Sequence, residues 1–213
     1  MPCRYRKTLL LDLDGTLIDP ASGIIGSCRY ALERLHLEVP EEENLRWIIG
    51  PPLRESFERL LRGQSDAEAA LRFYRERYAE RGLWEAHPYP GIVDALERRR
   101  ADGTRLILCT SKPAFFAQQV VNFFGFASLL SGVYGPELDG RFDDKGDLIG
   151  HLMATEKLGP EETCMVGDRK HDVQAASRHK VPTVGVLWGY GSREELESAG
   201  AAVLIDRPRD LAP

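Results

Sequence analysis

The sequence predicts an α/β fold, a doubly wound parallel sheet with an all-helical domain inserted after its first strand. Three observations lead to this prediction. The chain opens with the apolar run Leu9 to Leu11, of the kind that parallel sheets bury on both faces. Residues 19–87 show only helical periodicity. From residue 88 onward, short apolar runs alternate with amphipathic helices, which is the pattern of a sheet covered by helices on both sides.

The first strand ends abruptly in two carboxylates, Asp12 and Asp14, followed by Gly15 and Thr16. Alternate residues of a strand face the same side, so both carboxylates are expected to point the same way. Two buried like charges require compensation by a cation, by a lysine or by a proton on one of them. Taken alone, the pair is more simply interpreted as an acidic turn with no chemical role.

The inserted region has three clear helical segments. Apolar residues recur at helical spacing in Ile24–Leu35, Leu53–Leu61 and Ala67–Tyr78. A short helix beginning near Glu41 is expected to stop at Gly50-Pro51-Pro52. We therefore assign residues 19–87 to a helical domain, and residues 1–18 with 88–213 to the sheet domain.

The sheet domain follows a regular alternation. Its buried strands are predicted at residues 105–109, 163–166, 183–187 and 202–205, with a weaker one in 129–134. Helices are predicted at 92–101, 113–124, 148–158 and 173–177, and a last one is capped by Ser192 with Glu195. Carboxyl ends of parallel strands meet at one edge of a sheet, where functional groups collect.

Polar residues follow two of these strands. Thr110, Ser111 and Lys112 could form an anion cradle at a helix start or merely a helix cap. Asp168 and Asp172 are four residues apart and would share one side of a first helical turn, although acids are also common there because of the helix dipole. Lys145 lies between these groups and could equally be a solvated surface lysine.

Composition limits the class of protein. The 213 residues are 43% hydrophobic and 29% charged, with a net charge of −5, which fits a globular protein and argues against nucleic acid or an anionic membrane as partner. No apolar run is long enough to span a membrane, and the residues before Asp12 lead us to expect no signal peptide. Cys109 and Cys164 lie in apolar runs, so we expect inert core thiols and a cytoplasmic location.

Together these motifs resemble the haloacid dehalogenase superfamily of phosphatases. The Asp-x-Asp-Gly-Thr sequence at Asp12, the hydroxyl of Thr110, the lysine Lys145 and the Gly-Asp-x-x-x-Asp sequence ending at Asp172 occur in the family's order. The helical insertion stands where the family carries its C1 cap, and residues 50–54 are similar to the cap loop of its phosphoglycolate-phosphatase-like members. Many relatives have Lys-Pro at the third motif, whereas Gly146 follows the lysine here.

The resemblance implies a mechanism. Asp12 would be the nucleophile that forms an aspartyl-phosphate, and Asp14 would be the general acid and base. Mg²⁺ would be bound by the Asp12 carboxylate, the Asp14 backbone carbonyl and Asp168, with support from Asp172.

The remaining site residues concern the substrate. The resemblance implies that Thr110, Ser111 and Lys145 bind the phosphoryl oxygens. Arg54 of the cap and Lys112 are candidates for contacts to the rest of the substrate, although Arg54 could be an ordinary surface arginine.

The predicted function is a Mg²⁺-dependent phosphatase for a small phosphorylated metabolite, with 2-phosphoglycolate and 5′-nucleotides as leading substrates. A phosphomutase of the same superfamily is one alternative, and a non-enzymatic receiver-like or scaffold module is another. The protein is expected to be a monomer or a homodimer.

Overall fold

The computed structural model describes residues 6–211. The chain divides into two compact units, one comprising Met1–Asp19 with Pro88–Pro213 and the other comprising Pro20–His87. We call the first the sheet unit and the second the helical unit.

The sheet unit confirms the predicted fold class. Its central sheet has six parallel strands in the order β5-β4-β1-β6-β7-β8. These strands are β1 (Thr8–Leu11), β4 (Arg105–Cys109), β5 (Gly132–Tyr134), β6 (Thr163–Gly167), β7 (Thr183–Val186) and β8 (Val203–Ile205). The short strands β2 (Ile18–Asp19) and β3 (His87–Pro88) form a separate pair.

The helices of this unit connect successive strands. They are α4 (Ile92–Ala101), α5 (Ala114–Phe123), α6 (Lys145–Glu156), α7 (Lys170–Ser177) and α8 (Arg193–Ala199), and a 3-10 turn follows at Pro208–Leu211. One face of the sheet packs on α6 and α7 through a cluster that includes Leu10, Ile107, Leu152 and Ala176, all at most 1% exposed. Burial of such side chains is the main contribution that holds the layers together.

Strand β1 lies at the point where the strand order changes direction. The chain adds β4 and β5 on one side of β1, and then adds β6, β7 and β8 on the other. In open α/β sheets, ligands bind in the crevice beyond the carboxyl ends of the strands at this switch point. The topology therefore directs attention to the residues that follow β1.

The helical unit contains α1 (Ala21–Arg34), α2 (Leu53–Leu61) and α3 (Ala67–Arg77), with a 3-10 segment at Glu42–Ile48 and a π-helical turn at Tyr78–Gly82. Helix α1 packs against α3. Arg77 at the end of α3 makes a paired hydrogen bond to Glu85, at 3.0 and 3.2 Å. Phe57 packs edge-on against Tyr74, whose ring stacks on Tyr78.

Two expectations about cysteines have different outcomes. Cys109 is a buried free thiol as predicted, and so is Cys28. Cys164 is disulfide-bonded, so the prediction that it is an inert thiol is wrong. Cys3 lies outside the described residues. Within residues 6–211, no helix has the length and apolar character needed to cross a bilayer.

Candidate active site

The two carboxylates that follow β1 occupy a buried position. Asp12 and Asp14 are 4% and 8% exposed, so each loses most of its hydration on folding. The chain turns sharply after Asp14 at Gly15, whose φ of +86° is a conformation that favours glycine. A side chain on Gly15 would also overlap the Asp168 carboxylate. The turn after β1 and the end of β6 are therefore in direct contact.

A different lysine pairs with each carboxylate. The Lys145 ammonium donates to Asp12 Oδ1 at 2.8 Å and also to Asp172 Oδ1. The Lys112 ammonium donates to Asp14 Oδ1 at 2.8 Å. Both lysines are less than 9% exposed, so Lys145 is not the solvated surface residue that was the alternative. The doublet is compensated by two cations that come from different parts of the chain.

The lysines reach these positions through adjacent strands and a helix start. Lys112 follows β4, which pairs directly with β1, and the Lys112 amide donates to Thr110 Oγ1 at 3.2 Å. Lys145 is the first residue of α6, whose cap Asp144 accepts from the Asp147 amide at 2.8 Å. Lys112 thus belongs to the sheet unit, next to the predicted phosphate-binding residues Thr110 and Ser111.

The acidic residues at the end of β6 complete the cluster. Carboxylate oxygens of Asp12, Asp168 and Asp172 lie within 4.8 Å of one another, and all three residues are buried. The Asp172 side chain also accepts from the Arg169 amide at 3.0 Å, as a capping residue of α7. Asp168 accepts from the Thr16 hydroxyl at 3.3 Å and from the Tyr190 amide at 2.8 Å.

The pKa values follow from burial. Burial raises the pKa of Asp12, although Lys145 opposes the change, and it raises the pKa of Asp14 against the opposing effect of Lys112. The pKa of Asp168 is raised well above its usual value by burial and by the charges of Asp172 and Asp12. Burial alone would lower the pKa of Lys145, but the neighbouring carboxylates outweigh it and raise that pKa.

The charge balance and donor set fit a divalent cation. Four buried carboxylates and two buried lysines leave a net charge of −2 at this point of the sheet. Closely spaced carboxylate oxygens are the donors that Mg²⁺ prefers. Asp12, Asp168 and Asp172 could therefore hold such an ion, and its charge would neutralise the cluster.

The other predicted site residues are placed as follows. Thr110 is 1% exposed and follows β4 directly, and Ser111 is next to it. Arg54 lies in α2 of the helical unit, where it forms an ion pair with Glu68. Gly146 packs against the Arg178 guanidinium, so a proline at this position would require that side chain to move.

Three contacts were not anticipated from the sequence. The Lys112–Asp14 pair joins residues 98 positions apart, and no local pattern indicates it. Thr16, the last residue of the Asp-x-Asp-Gly-Thr sequence, and Tyr190, which belongs to no quoted motif, both donate hydrogen bonds to Asp168. Gly189 and Gly191 follow a strand at the carboxyl edge of the sheet, which was a usable signal, since glycine there often permits close backbone approach.

Comparison with known proteins gives a consistent picture. The model of the family described as haloacid dehalogenase-like hydrolase matches residues 9–186. A 5′-nucleotidase from Pseudomonas aeruginosa is 42% identical over 92% of this chain and 88% of its own. The tyrosine-protein kinase PtkA from Mycobacterium tuberculosis is 37% identical over 95% of this chain and 69% of its own.

A phosphoglycolate phosphatase from Aquifex aeolicus is 29% identical over 96% of this chain and 94% of its own. Among solved structures, a predicted phosphatase from Clostridium acetobutylicum superimposes with a TM-score of 0.93 at 34% identity, covering 97% of this chain and 96% of that one.

Proposed function

Because the chain belongs to the haloacid dehalogenase-like hydrolase family, and is a phosphatase, we propose that it hydrolyses small phosphomonoesters with Mg²⁺ through an aspartyl-phosphate on Asp12. The observation that carries this proposal is the division of the acidic pair between two lysines. Asp12 pairs with Lys145 and Asp14 pairs with Lys112, each at 2.8 Å. Two neighbouring carboxylates in different environments can take different chemical roles.

Asp12 is the proposed nucleophile. Its ion pair with Lys145 favours the ionised carboxylate, which is the form that attacks phosphorus. Attack forms a bond between a carboxylate oxygen and phosphorus and breaks the bond to the leaving oxygen. Lys145 then lies where it can balance the charge of the phosphoryl group.

Asp14 is the proposed general acid and base. In the first step it gives a proton to the leaving oxygen, and in the second it takes one from the water that hydrolyses the aspartyl-phosphate. A carboxyl group needs a raised pKa to carry a proton near neutral pH, and burial raises the pKa of Asp14.

The Asp12, Asp168 and Asp172 carboxylates would hold Mg²⁺, together with the backbone carbonyl of Asp14. When bound, the ion supplies positive charge that stabilises the phosphoryl oxygens in the transition state. Thr110 and Ser111, at the end of β4, are the proposed phosphate-binding residues.

The helical unit is proposed to act as the cap that selects the leaving group, with Arg54 as its substrate-contacting residue. Caps of this kind exclude water when they close. Nucleoside 5′-monophosphates are the first candidate substrates, because the 42% identical relative is a 5′-nucleotidase. 2-Phosphoglycolate is the second, through the Aquifex aeolicus relative.

The test is a phosphate-release screen over phosphomonoesters, with Mg²⁺ and with a chelator. We expect release that needs Mg²⁺ and disappears in Asp12→Asn, while the exposed control Asp94→Asn behaves as wild type. Asp12→Asn is expected to fold, because it removes one of four clustered negative charges.

Other results would replace the proposal. Isomerised sugar phosphate without phosphate release would identify a phosphomutase. The screen also includes ATP with a tyrosine-containing peptide, since one relative is named a tyrosine kinase. Appreciable phosphate release by Asp12→Asn would refute the nucleophile assignment.

A further inference from the structure

A loop with no assigned role covers the Asp168 carboxylate. Residues 188–191 directly follow Leu187 beyond β7, and the Tyr190 amide donates to Asp168 Oδ2 at 2.8 Å. The other oxygen of that carboxylate accepts from the Thr16 hydroxyl at 3.3 Å. Asp168 is 0% exposed, so these neutral donors act on it without competition from bulk water. The 188–191 loop supplies the shorter of the two bonds.

The glycines of this loop allow the close approach. A Cβ on Gly189 would overlap both the Gly15 carbonyl oxygen and the Asp168 side chain. A Cβ on Gly191 would overlap the Asp168 carbonyl oxygen. The backbone of the 188–191 loop is therefore packed directly against the turn after β1 and the end of β6.

The two large side chains of the loop fasten it on either side. The Trp188 indole donates from Nε1 to the Thr16 carbonyl oxygen at 3.0 Å, and its ring meets that of Tyr89 edge-on at 6.4 Å. The Tyr190 hydroxyl donates to Asp19 and is also hydrogen-bonded to Tyr89. These residues all belong to the sheet unit.

We propose that Tyr190 is a positioning residue for Asp168, with its hydroxyl anchoring the loop so that its amide orients the carboxylate toward a bound cation. The proposal rests on the proposed function, since Asp168 is there a Mg²⁺ ligand. Partners that orient a metal ligand commonly change metal affinity by about 10- to 100-fold when removed. Tyr190 touches neither substrate nor metal in this role.

Two residues bonded to the 188–191 loop, Asp19 and Tyr89, flank the helical unit in the chain. Asp19 is the last residue of the sheet unit before the helical unit begins, and Tyr89 is the second residue after the chain returns. The loop that orients Asp168 thus bonds to both connecting segments. Loss of the Tyr190 hydroxyl removes its hydrogen bonds to Asp19 and Tyr89, and it leaves the Tyr190 amide and the Trp188–Tyr89 ring contact in place.

The first test compares Tyr190→Phe with a matched control. Tyr134 lies on the edge strand β5, and its hydroxyl is bonded to the Glu156 carboxylate, so Tyr134→Phe also removes a tyrosine hydroxyl that bonds a carboxylate. Binding of Mg²⁺ to the intact protein is measured by titration calorimetry without substrate. We expect about tenfold weaker Mg²⁺ binding in Tyr190→Phe and wild-type binding in Tyr134→Phe.

A kinetic split separates positioning from general damage. In Tyr190→Phe the Mg²⁺ concentration for half-maximal activity should rise by a similar factor, while kcat at saturating Mg²⁺ stays within about twofold of wild type. A merely structural defect would lower kcat and the melting temperature without this selective shift in Mg²⁺ dependence.

A second pair of variants tests the loop itself. Gly189→Ala forces the loop away from Asp168, whereas Gly159→Ala places its Cβ no closer than 4.0 Å to its nearest neighbour, Glu162. We expect Mg²⁺ binding to be at least about tenfold weaker in Gly189→Ala and unchanged in Gly159→Ala.

The outcomes distinguish the two proposals. Selective weakening of Mg²⁺ binding in Tyr190→Phe supports the positioning role. Equal Mg²⁺ binding by wild type and Tyr190→Phe overturns that role and leaves the proposed function standing. A wild-type protein that binds no Mg²⁺ and releases phosphate without it overturns both.

Discussion

Replacing Lys145 by methionine removes the cation that pairs with both Asp12 and Asp172. The side chains of all three residues are at most 6% exposed, so the two carboxylates would be left buried beside each other without this partner. Loss of one partner from a buried ion pair costs about 3–5 kcal/mol. Methionine has a similar length and is apolar, so the change tests charge more than packing. We therefore expect the free energy of unfolding at pH 7 to fall by about 3–5 kcal/mol in the presence of a chelator.

The assay is urea unfolding of Lys145→Met and wild type, with EDTA and with Mg²⁺. A cation bound by the carboxylates stabilises the folded state, and it contributes about 2.7 kcal/mol at a concentration 100 times its Kd. Without Lys145 the Asp12 and Asp172 carboxylates should bind Mg²⁺ more tightly than in wild type, so part of the deficit should be recovered in Mg²⁺. Arg193→Met is the control, because the Arg193 side chain is 55% exposed and pairs with Asp206 at the surface, so its loss should cost less than about 1 kcal/mol.

Equal losses of stability by Lys145→Met and Arg193→Met in EDTA would contradict this expectation. That result would mean that the Asp12 and Asp172 carboxylates do not depend on this lysine when no metal is bound. If Mg²⁺ stabilises neither protein, that result would count against a cation site at these residues.

Three further predictions address other residues. Lys112→Met should move the alkaline limb of the kcat–pH profile to higher pH, because Asp14 must carry a proton to act as the general acid and Lys112 opposes the rise in its pKa; Lys180→Met, which removes an exposed lysine, should leave the profile unchanged. Burial raises the pKa of the Cys28 and Cys109 thiols from 9.0 to about 12, so native protein at pH 8 should resist iodoacetamide at both. Since the unfolded thiols ionise first, their contribution to stability is complete below pH 9 and is lost as the pH rises from 9 toward about 12, which urea unfolding at stepped pH would detect. Arg54→Met should raise KM for the preferred substrate and leave kcat nearly unchanged; a fall in kcat with KM unaltered would contradict a role in substrate binding.

The elements with strong boundary signals were predicted with the bounds that the structure has. Leu53–Leu61, Ile92–Ala101 and Arg105–Cys109 match residue for residue. Proline or glycine flanks each of them within a few positions, and their apolar periodicity reaches both ends. Local sequence is sufficient to predict the bounds of an element where the flanking proline or glycine and the apolar periodicity agree.

The first turns of the helices that carry the site were missed. Helix α6 begins at Lys145 and α7 at Lys170, three residues before the predicted starts at 148 and 173. Those turns are polar because their residues serve the site, so they lack the apolar spacing that marks a helix. The functional residues thus replace the apolar periodicity from which the helix starts were predicted.

The site was predictable in its membership and unpredictable in its pairing. Strand ends indicated that Asp12, Thr110 and Asp168 would lie at one edge of the sheet. The pairing of each lysine with its carboxylate depends on long-range contacts. Lys112 is 98 positions from Asp14 in the chain, and Lys145 is 133 positions from Asp12. The sequence therefore does not reveal that Lys112 joins the cluster, nor the net charge of −2 that a divalent cation would balance.

The most direct test of Asp12 as the nucleophile is to trap the covalent intermediate. Wild-type protein is mixed with Mg²⁺ and the best substrate of the screen, quenched during turnover and reduced with borohydride, which converts an aspartyl-phosphate to homoserine. Peptide mass spectrometry is then expected to locate homoserine at Asp12 only when both substrate and Mg²⁺ are present. Turnover with homoserine at a different aspartate would contradict the assignment of Asp12 as the nucleophile.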